Sequence, residues 1–157
     1  MLWYADTMIN DEMDLAYAAG LFDGEGCVSI NKVKAHRNPS LKPGFQLRCS
    51  ISITNEWIAN WFQECFGGYV MLRKRARAQD YWQWVVTSNN AYEFLKALKG
   101  YLKIKHEQAI IGIAFTEYRK TMSHINKTET YWNQNFKYYE EIRRLNARWG
   151  TEYYEGT

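Results

Sequence analysis

The sequence predicts an α+β fold: a four-stranded antiparallel sheet with helices on one face, in the order αββαββα, followed by additional C-terminal helices. Residues Phe45 to Thr54 alternate apolar and polar without a break, which is the period of a strand with one face buried. Glu56 to Phe66 places Trp57, Ile58, Trp61, Phe62 and Cys65 at helical spacing, the mark of a core-facing helix. The same order, two strands and then a helix, recurs in the second half. At 157 residues and 46% hydrophobic, the chain has the length of one domain with one core. The expectation is a single domain over 1–157, with a core at about 11–121 and a helical extension at about 122–157.

The first helix is read from Asp14 to the carboxylate-bearing segment Asp23-Gly24-Glu25-Gly26, which leads directly into a strand. Cys27 to about His36 is the first strand and Phe45 to Thr54 the second, separated by Asn38-Pro39-Ser40 and Pro43-Gly44, residues of turn chemistry. Phe45, Leu47, Cys49, Ile51 and Ile53 face inward, and Gln46, Arg48, Ser50, Ser52 and Thr54 outward. Thr54 or Asn55 can cap the next helix and Gly67 can stop it. Tyr69 to about Arg75 and Tyr81 to Thr87 form the second hairpin, with Val70, Leu72, Trp82, Trp84 and Val86 on its apolar face. Helices follow at about Asn89 to Lys99, His106 to Lys120 and Glu129 to Ala147.

Composition excludes several classes. The longest apolar stretch, around Ala109 to Phe115, is far short of the roughly 20 residues that span a bilayer. The N-terminus lacks the basic and apolar regions of a secretory signal, so the expectation is an intracellular protein, of cytoplasmic type or encoded by an organelle or phage, not secreted. Cys27, Cys49 and Cys65 are an odd count with no C-x-x-C pair; buried free thiols are expected rather than disulfides or zinc. Net charge is only +3, but it is segregated. From Gly26 to Asn55 there is no acid against Lys32, Lys34, Arg37, Lys42 and Arg48; from Gly68 to Ser88, Arg73, Lys74, Arg75 and Arg77 face Asp80 alone. Such segregation fits a surface that meets phosphates, or two solvated basic loops. A strand of ten residues spans about 33 Å, near one turn of duplex DNA at about 34 Å.

The chemistry concentrates at the end of the first helix. Ala16, Gly20 and Gly24 lie on one face, nearly bare of side chains, so a second helix can approach closely. An identical partner would bring two Glu25 carboxylates together beside a two-fold axis. Asp23 and Glu25 sit where the helix dipole disfavours negative charge. Solvation or capping is one offset; a divalent metal, which takes carboxylate and carbonyl oxygens, is another.

Ala18-Ala-Gly-Leu-Phe-Asp-Gly-Glu-Gly26 resembles the LAGLIDADG motif of homing endonucleases, with Glu25 for the motif's acidic Asp. The resemblance extends through Ile53-Thr-Asn-Glu56, Trp61-Phe62, Gly68-Tyr-Val70, Phe94-Leu95 and Tyr101 to Ala109, and points to the single-motif, homodimeric branch. It implies a dimer interface at Ala16, Gly20 and Gly24, and divalent metal on Glu25 and the Gly24 carbonyl. Mg²⁺ or Mn²⁺ would support cleavage, and Ca²⁺ would bind without supporting it. It also implies a catalytic Lys105, otherwise an exposed helix-start lysine, and a water-holding Asn55, otherwise the helix cap. A basic or amide residue expected in the following helix is not evident among Trp57, Ile58 and Ala59.

The expected activity is hydrolysis of one phosphodiester per strand of double-stranded DNA at a long, roughly palindromic site, leaving short 3′ overhangs. Asn31, Gln46, Arg48, Ser50, Ser52, Arg73, Arg75, Arg77 and Gln83 are candidate base readers; Lys32, Lys34, Arg37, Lys42 and Lys74 are candidate phosphate anchors. A catalytically inactive DNA-binding regulator, or a maturase acting on intron RNA, is the alternative on the same scaffold. His36, His106 and His124 form no recognisable constellation. Tyr131, Trp132, Phe136, Tyr138, Tyr139 and Trp149 are expected to seal the C-terminal helices onto the domain.

Overall fold

The computed structural model describes residues 12–34, 42–122 and 128–151. Helix α1 (Glu12–Glu25) runs straight into β1 (Gly26–Val33). Then follow β2 (Gly44–Ile53), α2 (Glu56–Phe66), β3 (Tyr69–Arg73), β4 (Tyr81–Thr87), α3 (Ser88–Leu98), α4 (His106–Thr121) and α5 (Glu129–Thr151). The strands form one antiparallel sheet in the order β1-β2-β4-β3. This is the predicted αββαββα order with two further helices, α4 and α5, added. Strand β3 stops at Arg73 rather than Arg75: the Arg75 backbone N–H donates to the Asp80 carboxylate at 3.1 Å, closing a loop instead of extending the ladder.

Strand parity decides what is buried. Val28, Ile30, Phe45, Leu47, Cys49, Ile51, Trp84 and Val86 turn to the helices and are almost fully buried. Trp84 lies 5.1 Å from Phe62 and 5.0 Å from Phe94, and its indole N–H donates to the Gly67 carbonyl at 2.7 Å. Its polar edge is thus satisfied inside an apolar cluster, as a buried Trp requires. The abrupt passage from α1 to β1 depends on Gly26, where a Cβ would lie 2.3 Å from the Phe22 ring and 2.4 Å from the Phe22 carbonyl.

Helix α5 closes the β1–β2 half of the helix-covered face. Trp132, Phe136 and Tyr139 surround Phe45 at ring separations of 5.6, 6.4 and 5.6 Å. The Trp132 indole donates to the Pro43 carbonyl at 2.9 Å, and the Asn146 amide to the Val28 carbonyl at 3.0 Å. The expected aromatic seal therefore forms; the Trp149 side chain and Tyr153 and Tyr154 lie outside the described residues. One expectation is corrected: Cys49 and Cys65 are buried but Cys27 is exposed, because it alternates with Val28 and faces away from the helices. Burial pushes the Cys49 thiol well above its usual range and that of Cys65 up to about 11. Among the described residues no helix is long and apolar enough to cross a membrane.

Candidate nucleic-acid interface and catalytic cleft

The other face of the sheet is open and polar. Register places Asn31 beside Gln46, Ser29 beside Arg48, and Ser52 beside Gln83. Arg73 joins them from the far edge: its Nε donates to the Gln83 Oε1 at 3.1 Å, and the Gln83 Nε2 donates to the Ser52 hydroxyl at 3.5 Å. Arg48 donates to the Ser50 hydroxyl at 3.3 Å, and Gln46 to that of Ser88 at 3.4 Å. Asn31, Gln46, Arg48, Ser50, Ser52, Arg73 and Gln83 thus share one surface. Ser50 is only 5% exposed at its centre. Lys74, Arg75 and Arg77 stand exposed in the loop between β3 and β4.

Two expected phosphate anchors sit elsewhere. Lys32 pairs with Phe45 in the ladder and so emerges on the helix side, its ammonium 4.9 Å from the Tyr139 ring centre and 5.3 Å from that of Phe136. Lys42 forms an ion pair with Glu129 and lies 4.5 Å from the Trp132 ring centre. Both cations pack on α5. Lys34 is exposed just beyond β1. Arg37, His36 and His124 lie outside the described residues. His106 is exposed, with Nδ1 3.1 Å from the Lys99 carbonyl.

At the end of α1 two carboxylates part company. Asp23 is 8% exposed and accepts the backbone N–H groups of Lys103 and Lys105 at 2.8 and 2.9 Å. These bonds offset the unfavourable helix dipole and tie the start of α4 to the motif. The Lys105 ammonium turns back to donate to the Asp23 carbonyl at 2.5 Å. Burial lowers its pKa from the ordinary lysine value, opposed by the charges of Asp23, Cys27 and Glu25 nearby. The expected alternative of a free helix-start lysine therefore does not hold.

Glu25 is exposed. It lines a polar cleft of about 350 Å³ with Ser52, Ile53, Thr54, Arg75, Gln79 and Tyr81. Asn55 caps α2, its side-chain oxygen accepting the Ile58 N–H at 3.1 Å; capping is the role its geometry displays. Among the described residues no group of three or more His, Cys, Asp or Glu could hold a metal ion. The donors present still fit a hard cation: the Glu25 carboxylate and carbonyls such as that of Gly24 in the last turn of α1, where a helix leaves its carbonyls without intrahelical partners. A single carboxylate fills only part of such a shell.

The outer side of α1 is uncovered. Ala16, Gly20 and Gly24 are exposed, and a Cβ at either glycine would meet nothing within 4 Å. Met13 and Tyr17 flank them at 79% and 54% exposure. The sequence reading missed Asp23 as a tether, along with Ser29, Gln79 and Tyr81. Strand alternation from Val28 and Ile30 marks Ser29; the Asp23 partners are some eighty residues away, and no local pattern announces them.

The architecture thus sets one acidic helix end beside one polar sheet face. The family profile described as LAGLIDADG endonuclease matches residues 18–109, and the chain belongs to that family. Among solved structures, it is similar to the homing endonuclease I-CvuI in complex with its target in the presence of Ca, at 20% identity and TM-score 0.70 over 85% of this chain and 82% of that one. The archaeal intron-encoded I-Vdi141I complexed with DNA gives 16% and 0.69, over 87% and 86%. Group I intron-encoded I-CeuI complexed with DNA gives 12% and 0.68, over 87% and 69%. No curated protein sequence matches the chain.

Proposed function

We propose that the protein is a site-specific double-strand DNA endonuclease, a homing endonuclease that works as an intracellular homodimer, with residues 1–157 forming one endonuclease domain. One observation carries this reading: Glu25 stands exposed where the open polar sheet face meets the uncovered glycine face of α1. Pairing two α1 helices across a two-fold axis sets two Glu25 carboxylates side by side and extends the two sheets away from the axis. Each sheet would then follow the major groove for about ten base pairs, which gives a long, roughly palindromic target. The intron-encoded origin of I-Vdi141I and I-CeuI supports a role in intron homing.

Glu25 and the Gly24 carbonyl would hold Mg²⁺ or Mn²⁺; Ca²⁺ would occupy the same donors without supporting cleavage. Such an ion, when bound, polarises a phosphate and lowers the pKa of the attacking water. Lys105, fixed by the Asp23 carbonyl, adds positive potential at the same helix end and can orient that water. The open face supplies the readers, with Arg suited to guanine and Asn or Gln to adenine. Cutting both strands across one minor groove leaves short 3′ overhangs.

The test is incubation with a randomised duplex library with and without Mg²⁺, followed by sequencing of the ends. Paired, Mg²⁺-dependent breaks within one near-palindromic site are expected, abolished by Glu25→Gln with binding retained. Enrichment of bound DNA without breaks would replace the nuclease with a regulator, and binding to structured intron RNA alone would replace it with a maturase.

A further inference from the structure

We infer that Arg75 is a catalytic residue: its guanidinium grips the scissile phosphate from the side of the cleft opposite Glu25 and stabilises the charge that builds there during hydrolysis. The inference rests on the endonuclease reading and assigns a role within its site. Among the described residues that line the Glu25 cleft, Arg75 is the sole Lys or Arg. Three neighbouring cations have other engagements. The Lys105 ammonium donates to the Asp23 carbonyl, the Arg73 Nε to Gln83, and Arg48 to Ser50.

Arg75 is also held in place from two directions. Its guanidinium lies 4.1 Å from the Tyr81 ring centre, and its backbone N–H is fixed by Asp80 at 3.1 Å. Stacking on an aromatic face leaves the in-plane N–H fork free to meet two phosphate oxygens. Tyr81 is therefore a positioning residue.

The reaction defines what Arg75 can contribute. A water oxygen bonds to phosphorus and the P–O3′ bond breaks. One water proton goes to solvent and the departing 3′ oxygen takes up another, leaving a 3′ hydroxyl and a 5′ phosphate. Negative charge grows on the phosphoryl oxygens on the way. A guanidinium stays protonated throughout, so it serves as a fixed electrostatic clamp and not as an acid or base.

The probe is the duplex enriched from a randomised library by binding in Ca²⁺, a selection that does not require cleavage. At saturating protein in Mg²⁺, Arg75→Ala is expected to lower the single-turnover cleavage rate by about 100-fold or more, the effect of deleting one preorganised donor. Its affinity in Ca²⁺ should change far less. Arg75→Lys should restore part of the rate, and Tyr81→Leu should lose several-fold.

A second readout needs no catalysis. Replacing the scissile phosphate by an uncharged methylphosphonate should weaken binding of the wild type in Ca²⁺ more than that of Arg75→Ala, which keeps only the bound ion's hold on that phosphate. Wild-type cleavage at saturation by Arg75→Ala, or an equal methylphosphonate penalty in both proteins, overturns the inference while the nuclease stands. A wild type that cuts no duplex overturns the endonuclease reading, and this assignment with it.

Discussion

Basic residues fall in two stretches of the sequence, Lys32, Lys34, Arg37, Lys42 and Arg48 in the first and Arg73, Lys74, Arg75 and Arg77 in the second. In the first, Lys32 and Lys42 are turned onto the rings of α5, and Lys42 is paired with Glu129. In the second, Arg73 lies on the open face while Lys74, Arg75 and Arg77 stand in an exposed loop. A run of basic residues thus measures the phosphate-binding capacity of a hairpin only after the packing on its other face is known. Helix α5 covers β1 and β2, and it is there that Lys32 and Lys42 are taken up.

Under the endonuclease reading, the largest effect should come from replacing Arg73, Lys74 and Arg77 together by Ala. The slope of log affinity against log salt should fall by about 0.9 for each of the three that meets a phosphate, Lys74 among them, and affinity by roughly one to three orders of magnitude at moderate salt. Arg73→Ala alone should weaken specific binding by about 5- to 150-fold and relax the base preference at one position, read by selection on a library randomised there. The double variant Lys32→Ala with Lys42→Ala should leave the salt slope nearly unchanged. It should instead lower the melting temperature slightly, because an exposed ion pair is worth under about 1 kcal/mol and each cation–π contact a similar amount. If this double variant weakened DNA binding as much as the triple one, the contrast between the hairpins would collapse. The smallest effect concerns Cys27, which should be the cysteine a bulky thiol reagent modifies in the native protein at pH 8, counted by mass. Cys65, pushed up to about 11, and Cys49 hold their thiols protonated there as well as buried.

The fold was legible because strand and helix periods are local. Phe45 to Thr54 announced β2 within one residue at each end, and Trp57 to Cys65 announced α2. The motif announced Glu25 and the glycine face for the same reason. Position relative to a face was harder to read. Lys32 looked equivalent to its neighbours, yet pairing with Phe45 put it on the helix side. Asp23 looked like a second metal candidate, yet two backbone N–H groups from the start of α4 claim its carboxylate. Both outcomes depend on partners far along the chain, and composition carries no information about them.

The empty space beyond Gly20 separates two properties that most interfaces combine. In a lone chain, Gly20→Ala should stabilise α1 by roughly 0.5–1 kcal/mol, because alanine surrenders less backbone freedom in a helix than glycine, and no neighbour within 4 Å resists the added carbon. Across the proposed two-fold axis the same carbon would stand between backbones. Bulk at Gly20 in one copy would then be tolerated only opposite a copy that keeps glycine, so a single position could enforce pairing between two different chains and direct the assembly to targets whose halves differ.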